Sequence, residues 1–345
     1  MSTKEPQALT HGENTMPASR TVAVLGPIPR DHIVTHNGET FDKYGCALYT
    51  VAALSALMEP HDRICPIVHV RSQDEDAIKE QLSAFANVDT TGIRVANDRG
   101  DVVELTYTAH NMRDERQTGF MSPIVPADVE FVLDADASVC VPITDYEVGQ
   151  HTLAYIKAHS DGIVLLDGHG PTVTLTRGGR RFNRLWVERD SWLPYIDILK
   201  MNLEEAGCSW FPDRESPNPG DRPMSEADMP RFAHHCLSNG VKAVCITLDE
   251  KGSVVYYFGP DGDLHEEYVP RIDVAEVVDT TGCGDSFAAG MAFGYLRYGD
   301  YVAACRFGNA MGAQRCSGSG LNVYRTRADT ESQIAATYGA LTTSV

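Results

Sequence analysis

A carboxylate sits in an unexpected place at Asp285, directly after Gly282, Cys283 and Gly284 in the stretch VVDTTGCGDSFAAGMAFGYL, residues 277–296. The branched residues that open this stretch suit a strand, and Phe287, Ala288, Met291, Ala292 and Tyr295 recur at helical spacing. It therefore reads as strand, tight turn and helix. The first turn of a helix leaves backbone N–H groups without internal acceptors, and the positive end of the macrodipole lies behind them. Such a turn holds an anion. A carboxylate there is repelled by the anion unless its task is to take a proton from the group that attacks it. Two more candidates follow strand-like runs: Asn202 and Glu205, three apart in KMNLEE, and Thr247 and Gly252 in TLDEKG. Each alone is more often an ordinary polar loop with a cap residue, but strand ends of this kind are where ligands collect in parallel sheets.

The rest of the chain shows what must position these residues. TVAVLG (21–26) is a buried-strand pattern, and DHIVTHNGETFDKYG (31–45) carries Asn37-Gly38 between two extended runs, which predicts a hairpin. GDVVELTYTA (100–109) is extended and suited to pair with it. Residues 51–57 and 72–85 read as helices, the second opening with a capping box at Ser72 and Glu75. Strands are predicted at 63–70, 130–134, 138–142, 162–167, 196–201, 241–248 and 253–259, and helices close the chain. The Pro-rich stretch 211–230 reads as one long loop. Strands alternating with helices define an α/β protein with a mostly parallel twisted sheet and helices on both faces. The early hairpin adds a small β-sheet standing off one edge.

At 345 residues with 43% hydrophobic and 22% charged content, the chain has the composition of an ordinary globular protein. Its net charge of −19 argues against nucleic acid or an anionic membrane as partner. A small phosphorylated ligand is not excluded, because helix N-termini and a divalent metal neutralise it locally. Nine cysteines without C-x-x-C spacing suggest reduced thiols and a cytoplasmic location. Residues 1–20 lack an apolar core and read as a flexible extension.

Taken together and in this order, the motifs resemble those of the ribokinase-like, phosphofructokinase-B type family of carbohydrate kinases. Asp279 to Asp285 (DTTGCGD) is similar to the family's D-T-x-G-A-G-D, with Cys283 at the alanine. Its N-x-x-E falls on Asn202 and Glu205, and its T-L-G-x-x-G on Thr247 to Gly252, with Asp249 at the first glycine. A strand followed by Gly and, five residues on, Asp falls on Gly26 and Asp31. Of the family's G-G-x-x-x-N-x-A, only Gly45 is kept; Tyr44 and Tyr49 are among the replacements and mildly favour a flat or apolar acceptor.

The resemblance implies an ATP-dependent kinase acting on a hydroxyl of a small carbohydrate or sugar-like polyol. A nucleoside or vitamin kinase of the same fold and a catalytically silent sugar-binding regulator are the alternatives, and the intact Asp285 speaks against the regulator. By resemblance Asp285 is the base, with Gly282, Cys283 and Gly284 as the anion hole. Asp31, Gly45 and Asp167 face the acceptor. Asn202, Thr247, Gly252 and Asn309 face the nucleotide, with 317–320 closing its far side. Glu205 holds Mg2+ through water, and a monovalent cation such as K+ sits beside Asp279 and Thr281. The kinase domain spans 21–345, with lid segments at 31–45 and 95–125 and a homodimer through the lid. His169 in LLDGHG reads as a loop histidine, and Arg113 and Arg116 as part of a solvated loop.

Overall fold

The computed structural model describes residues 19–109, 112–211 and 224–341. Strand β1 (Thr21–Leu25) leads into the hairpin of β2 (Arg30–Val34) and β3 (Thr40–Tyr44), then α1 (Ala47–Leu57), β4 (Arg63–His69) and α2 (Ser72–Leu82). Short β5 (Ile93–Arg94) precedes a long hairpin of β6 (Val102–Ala109) and β7 (Met112–Gly119). Next come α3 (Pro126–Val129), β8 (Ala137–Cys140), α4 (Gln150–His159) and β9 (Ile163–Asp167). A small hairpin, β10 (Val173–Leu175) with β11 (Arg181–Asn183), is followed by α5 (Arg189–Trp192), β12 (Ile198–Asn202), α6 (Leu203–Ser209) and α7 (Met229–Ser238). The chain closes with β13 (Ala243–Thr247), β14 (Gly252–Phe258), β15 (Leu264–Pro270), α8 (Cys283–Tyr298), α9 (Tyr301–Cys316) and α10 (Arg327–Tyr338).

Nine strands form the main sheet in the order β15-β14-β13-β12-β9-β8-β1-β4-β5. All neighbours are parallel except the two pairs at the β14–β15 edge. The apolar runs of β1, β4 and β9 are buried along nearly their whole length, as expected of strands covered on both faces. Helix α8 is buried continuously from Ser286 to Gly294 against α9, α1 and the sheet, so its start cannot shift relative to the strand ends without disturbing the core.

A second sheet, in the order β3-β2-β6-β7, carries the predicted hairpin with Gly38 at φ 81° in its turn. Ile33, Val103 and Leu105 form its own small apolar cluster, separate from the main core. The strand predicted at 130–134 is instead a single helical turn, Glu130–Val132, continuing α3. Ser72 does not cap α2: its N–H and hydroxyl both donate to Asp98 Oδ1 at 2.7 Å, so the partner comes from a residue 26 positions away instead of from the helix itself. Most of the 211–230 loop, and residues 1–18 of the N-terminal extension, lie outside the described residues. Among the described residues no helix is long and apolar enough to cross a membrane.

Candidate active site

β9 and β12 are sheet neighbours with Asp167 opposite Lys200, which puts both side chains on one face at the carboxyl ends of their strands. Lys200 Nζ donates to Asp167 Oδ2 at 2.8 Å, and both residues are buried. The first turn of α8 lies directly over this pair. A Cβ on Gly284 would stand 3.0 Å from Lys200 Nζ and 3.9 Å from Asp167 Oδ2. Gly282, the N-cap, has φ 84°, and a Cβ there would collide with the ring of Tyr49, so both its conformation and its neighbour demand glycine. Cys283 N–H donates to Thr280 O and Ser286 N–H to Gly282 O. The N–H groups of Gly284 and Asp285 have no acceptor among the described residues and are the donors an anion would meet.

Burial raises the pKa of Asp285, and the negative charge of Asp167 adds to the rise; Lys200 and the Cys46 thiol offset it in part. Burial alone would lower the pKa of Lys200, but Asp167 and Glu205 outweigh it, so the ammonium keeps its proton. A carboxylate with heightened proton affinity thus stands beside a permanent cation at a helix N-terminus. This arrangement suits taking a proton from a hydroxyl that attacks an anion.

A groove of about 1200 Å³ passes this point. On one side its wall includes Asp31, Val103, Leu105, Ile143, His169 and Arg181; on the other, Thr247, Asp249, Gly252, Asn309 and Gly312. Asp167, Asn202, Glu205 and Thr281 to Asp285 lie between. Gly45 stands behind the wall, where a Cβ would press on Asp31 Oδ2 at 2.9 Å; the missing side chain leaves the buried Asp31 its place. Tyr44 and Tyr49, expected to shape the acceptor pocket, do not line the groove. The Tyr44 hydroxyl donates to Asp74 Oδ1 at 3.0 Å, and Tyr49 is buried under the α8 turn. Residues 317–320 do not form the far wall, which is made by Gly312, Ala313 and Cys316. Arg116 is exposed on β7, and the side chain of Arg113 lies outside the described residues.

Asn202 and Glu205 form a capping box on α6: Glu205 N–H donates to Asn202 Oδ1 and Asn202 N–H to Glu205 Oε2, each at 2.8 Å. Glu205 Oε1 also accepts from Asn202 Nδ2 and from His169 Nδ1, both at 3.0 Å. Burial would raise the Glu205 pKa, but His169 and Lys200 hold it down, so this is an anionic carboxylate with lone pairs left over. That fits an outer-shell, water-mediated contact to Mg2+, which would offset the charge of nucleotide phosphates. The two nucleotide-side turns are equally local. Asp249 has φ 51°, a conformation that explains why glycine is common at such a place, and Gly252 has φ 112°, where a Cβ would collide with Val269 O. The Asn309 amide donates to Val269 O and Pro270 O at 3.1 Å, tying α9 to β15.

Asp279 does not fit a monovalent cation. Its Oδ2 accepts from Arg315 Nη2 at 3.0 Å and Lys43 Nζ at 3.3 Å, and its Oδ1 accepts from Thr281 N–H at 2.9 Å. A third cation beside the first two is repelled by both.

Three polar side chains lining the groove were not assigned to the site from the sequence: Lys200, Arg181 and His169, the last read there as a loop histidine. Arg181 donates to His169 Nε2 at 3.1 Å, to Ile143 O at 2.7 Å and to Gln117 Oε1 at 3.1 Å. Because arginine can only donate, the His169 proton sits on Nδ1 and points at Glu205. His169 is thus wired to the site as a link between Arg181 and the α6 cap. Lys200 had a usable signal, since a lysine inside an apolar strand run needs a buried partner. Arg181 comes from the exposed-looking GGRRF hairpin and had none.

The nine-stranded sheet, the small second sheet and the glycine turn over an acid–lysine pair make a ribokinase-like fold. A ribokinase of Arabidopsis thaliana, complexed with ribose and ATP, superposes with a TM-score of 0.70 at 18% identity, covering 92% of this chain and 99% of that one. More particularly, residues 183–326, which include the capping box and the α8 turn, match the model of the pfkB family carbohydrate kinases. An uncharacterized sugar kinase of Archaeoglobus fulgidus is 34% identical over 82 residues, 24% of this chain and 30% of that protein. A cytidine kinase of Thermococcus kodakarensis is 47% identical over 58 residues, 17% of this chain and 19% of that one. The chain thus spans less than a third of the length of these curated relatives.

Proposed function

We propose that the protein transfers the terminal phosphoryl group of ATP to a hydroxyl of a small carbohydrate or sugar-like polyol. The observation that carries this reading is Asp285 at the start of α8, over the Asp167–Lys200 pair and midway along one groove. The acceptor lies between Asp31 and the β6 face, with the four-stranded sheet as lid and Asp31 accepting its hydroxyl hydrogen bonds. Asp285 takes the proton of the attacking hydroxyl; its oxygen forms the new bond to phosphorus as the bond to ADP breaks. The N–H groups of Gly284 and Asp285 and the Lys200 ammonium meet the charge on the transferred oxygens, in the manner general to phosphoryl transfer. The nucleotide is received by Thr247 to Gly252 and by Asn309 to Gly312. Mg2+ when bound supplies charge neutralisation on the phosphates, with Glu205 in its water shell.

A nucleoside acceptor is the second reading. It is favoured by the apolar wall of Val103, Leu105 and Ile143, which suits a base better than a polyol, and by the matched stretch of the cytidine kinase. All nine cysteines are free, which supports a reducing, cytoplasmic setting. The test is a panel of sugars, cyclitols and nucleosides with Mg-ATP, read as ADP release. Acceptor-dependent ADP release is expected. ADP formed equally with and without every acceptor would overturn the reading.

A further inference from the structure

Arg315, at the end of α9, is a fully buried arginine, and two of the groups it touches, Asp279 and Tyr49, support the anion-binding turn. Its Nη2 donates to Asp279 Oδ2 at 3.0 Å, and its Nη1 donates to the backbone oxygen of Gly318. Its guanidinium carbon lies 4.5 Å from the centroid of the Tyr49 ring, and that ring is the surface on which Gly282 rests. Nε has no partner. Burial disfavours the charge, but Tyr49 and Asp279 outweigh it, so the guanidinium stays charged. A buried unpaired donor and a buried charge are both costly, so a cation behind this turn calls for a reason beyond packing.

Arg315 holds Asp279 Oδ2 and the Gly318 carbonyl, oxygens of the kind a monovalent cation would take, and Lys43, from strand β3, adds a second positive charge to the same carboxylate. We propose that Arg315 is the resident counter-charge of the anion-binding turn, standing where a monovalent cation would otherwise sit, so that turnover does not require K+. Arg315 is a positioning residue: it acts through Asp279, which bonds the Thr281 N–H, and through Tyr49, which supports Gly282. Its guanidinium reads as positive charge delivered to the back of the turn whose front faces the phosphates. This inference rests on the kinase reading above.

The experiment compares the wild-type chain in K+, Na+ and tetramethylammonium at equal ionic strength, following both kcat on the best acceptor and Tm. Wild-type kcat should agree within about twofold across the three, because its cation is built in. Arg315→Ala should lose about tenfold or more in kcat, the scale of a lost charge-assisted contact, and regain about fivefold with K+ or low-millimolar guanidinium. Its Tm should rise in K+ relative to tetramethylammonium, whereas the wild-type Tm should not. Stimulation of the wild type by K+ beyond about fivefold, or a K+-specific rise in its Tm, overturns the proposal, and so does an Arg315→Ala variant with full kcat in tetramethylammonium. Should Arg315→Ala fail to fold, the wild-type comparison alone decides. The Tm arm reads cation binding even if no acceptor is phosphorylated, so failure of the kinase reading is told apart from failure of this one.

Discussion

The two ends of the groove are built from different materials. Around Asp285 and along Thr247 to Gly252 the groove is walled by tight turns held within a few residues of chain, with the Gly284 and Asp285 N–H groups lacking an acceptor among the described residues. At the acceptor end the wall is made of side chains, Asp31, His169, Arg181 and the β6 face, delivered by elements far apart in sequence. A site made of backbone must place glycine at set spacings, and glycine is visible in a sequence. A wall made of side chains needs no such mark, since convergence in space leaves no spacing rule behind it.

Breaking the backbone end should cost the most. Gly282→Val forces a branched side chain against Tyr49 and displaces the turn, so kcat/KM should fall by roughly 10²–10³, the scale of losing a preorganised donor. Cys283→Ala should stay within about threefold, because its N–H is kept and its thiol meets the thiol of Cys316 at 2.9 Å. Equal damage from the two would show that the thiol pair is part of the chemistry.

At the acceptor end, Asp31→Ala should weaken acceptor binding by roughly 1.5–3 kcal/mol with the KM for ATP little altered. An unchanged acceptor KM with a lowered Tm would make Asp31 a structural residue beside Gly45 and remove it from the site.

The join between lid and core should show in the pH dependence of stability. Asp101, at the foot of β6, is pushed up to about 6 by burial, and Glu147 up to about 8 by burial and by the charge of Asp101. Asp101 Oδ2 is buried without a partner among the described residues. Both folded values lie above the unfolded ones, so the stability they contribute is complete at about pH 4 and is lost as pH rises through 6 and 8. Denaturant unfolding from pH 5 to 9 should show a fall of roughly 1–3 kcal/mol, which Glu147→Gln flattens. A stability that rises over this range contradicts the assignment.

The smallest effect sharpens the role of Glu205. Glu205→Gln should cost roughly 0.5–2 kcal/mol of stability through the α6 cap, and should raise the magnesium needed for half-maximal rate more than the acceptor KM. A stability loss with an unchanged magnesium curve would leave Glu205 as a cap alone.

The same contrast explains what could be read from the chain. The parallel sheet, the Asn37-Gly38 hairpin and the α8 turn were legible because period, turn chemistry and glycine spacing agree there. Asp249 looked like a departure and is instead a residue at positive φ doing a glycine's work. Residues 130–134 read as a strand because a short apolar run has no period long enough to separate strand from helix. Ser72 misled because its hydrogen-bond partner, Asp98, is distant in sequence. Tyr44 and Tyr49 were assigned to the acceptor from sequence position alone, whereas one bonds α2 and the other supports Gly282. Lys200, His169 and Arg181 escaped for the converse reason: their partners are set by strand register and a hairpin crossing.

In the proposed reaction Asp285 moves the proton of an acceptor hydroxyl while the α8 turn holds the phosphoryl group. Its most direct test follows the terminal phosphate of labelled ATP with the wild type and Asp285→Asn side by side, together with the Kd for Mg-ATP. The wild type should place the label on an organic acceptor; Asp285→Asn should bind Mg-ATP within about threefold and transfer label roughly 10²–10⁴ times more slowly. Asp285→Asn transferring label to the acceptor at more than about half the wild-type rate would contradict it.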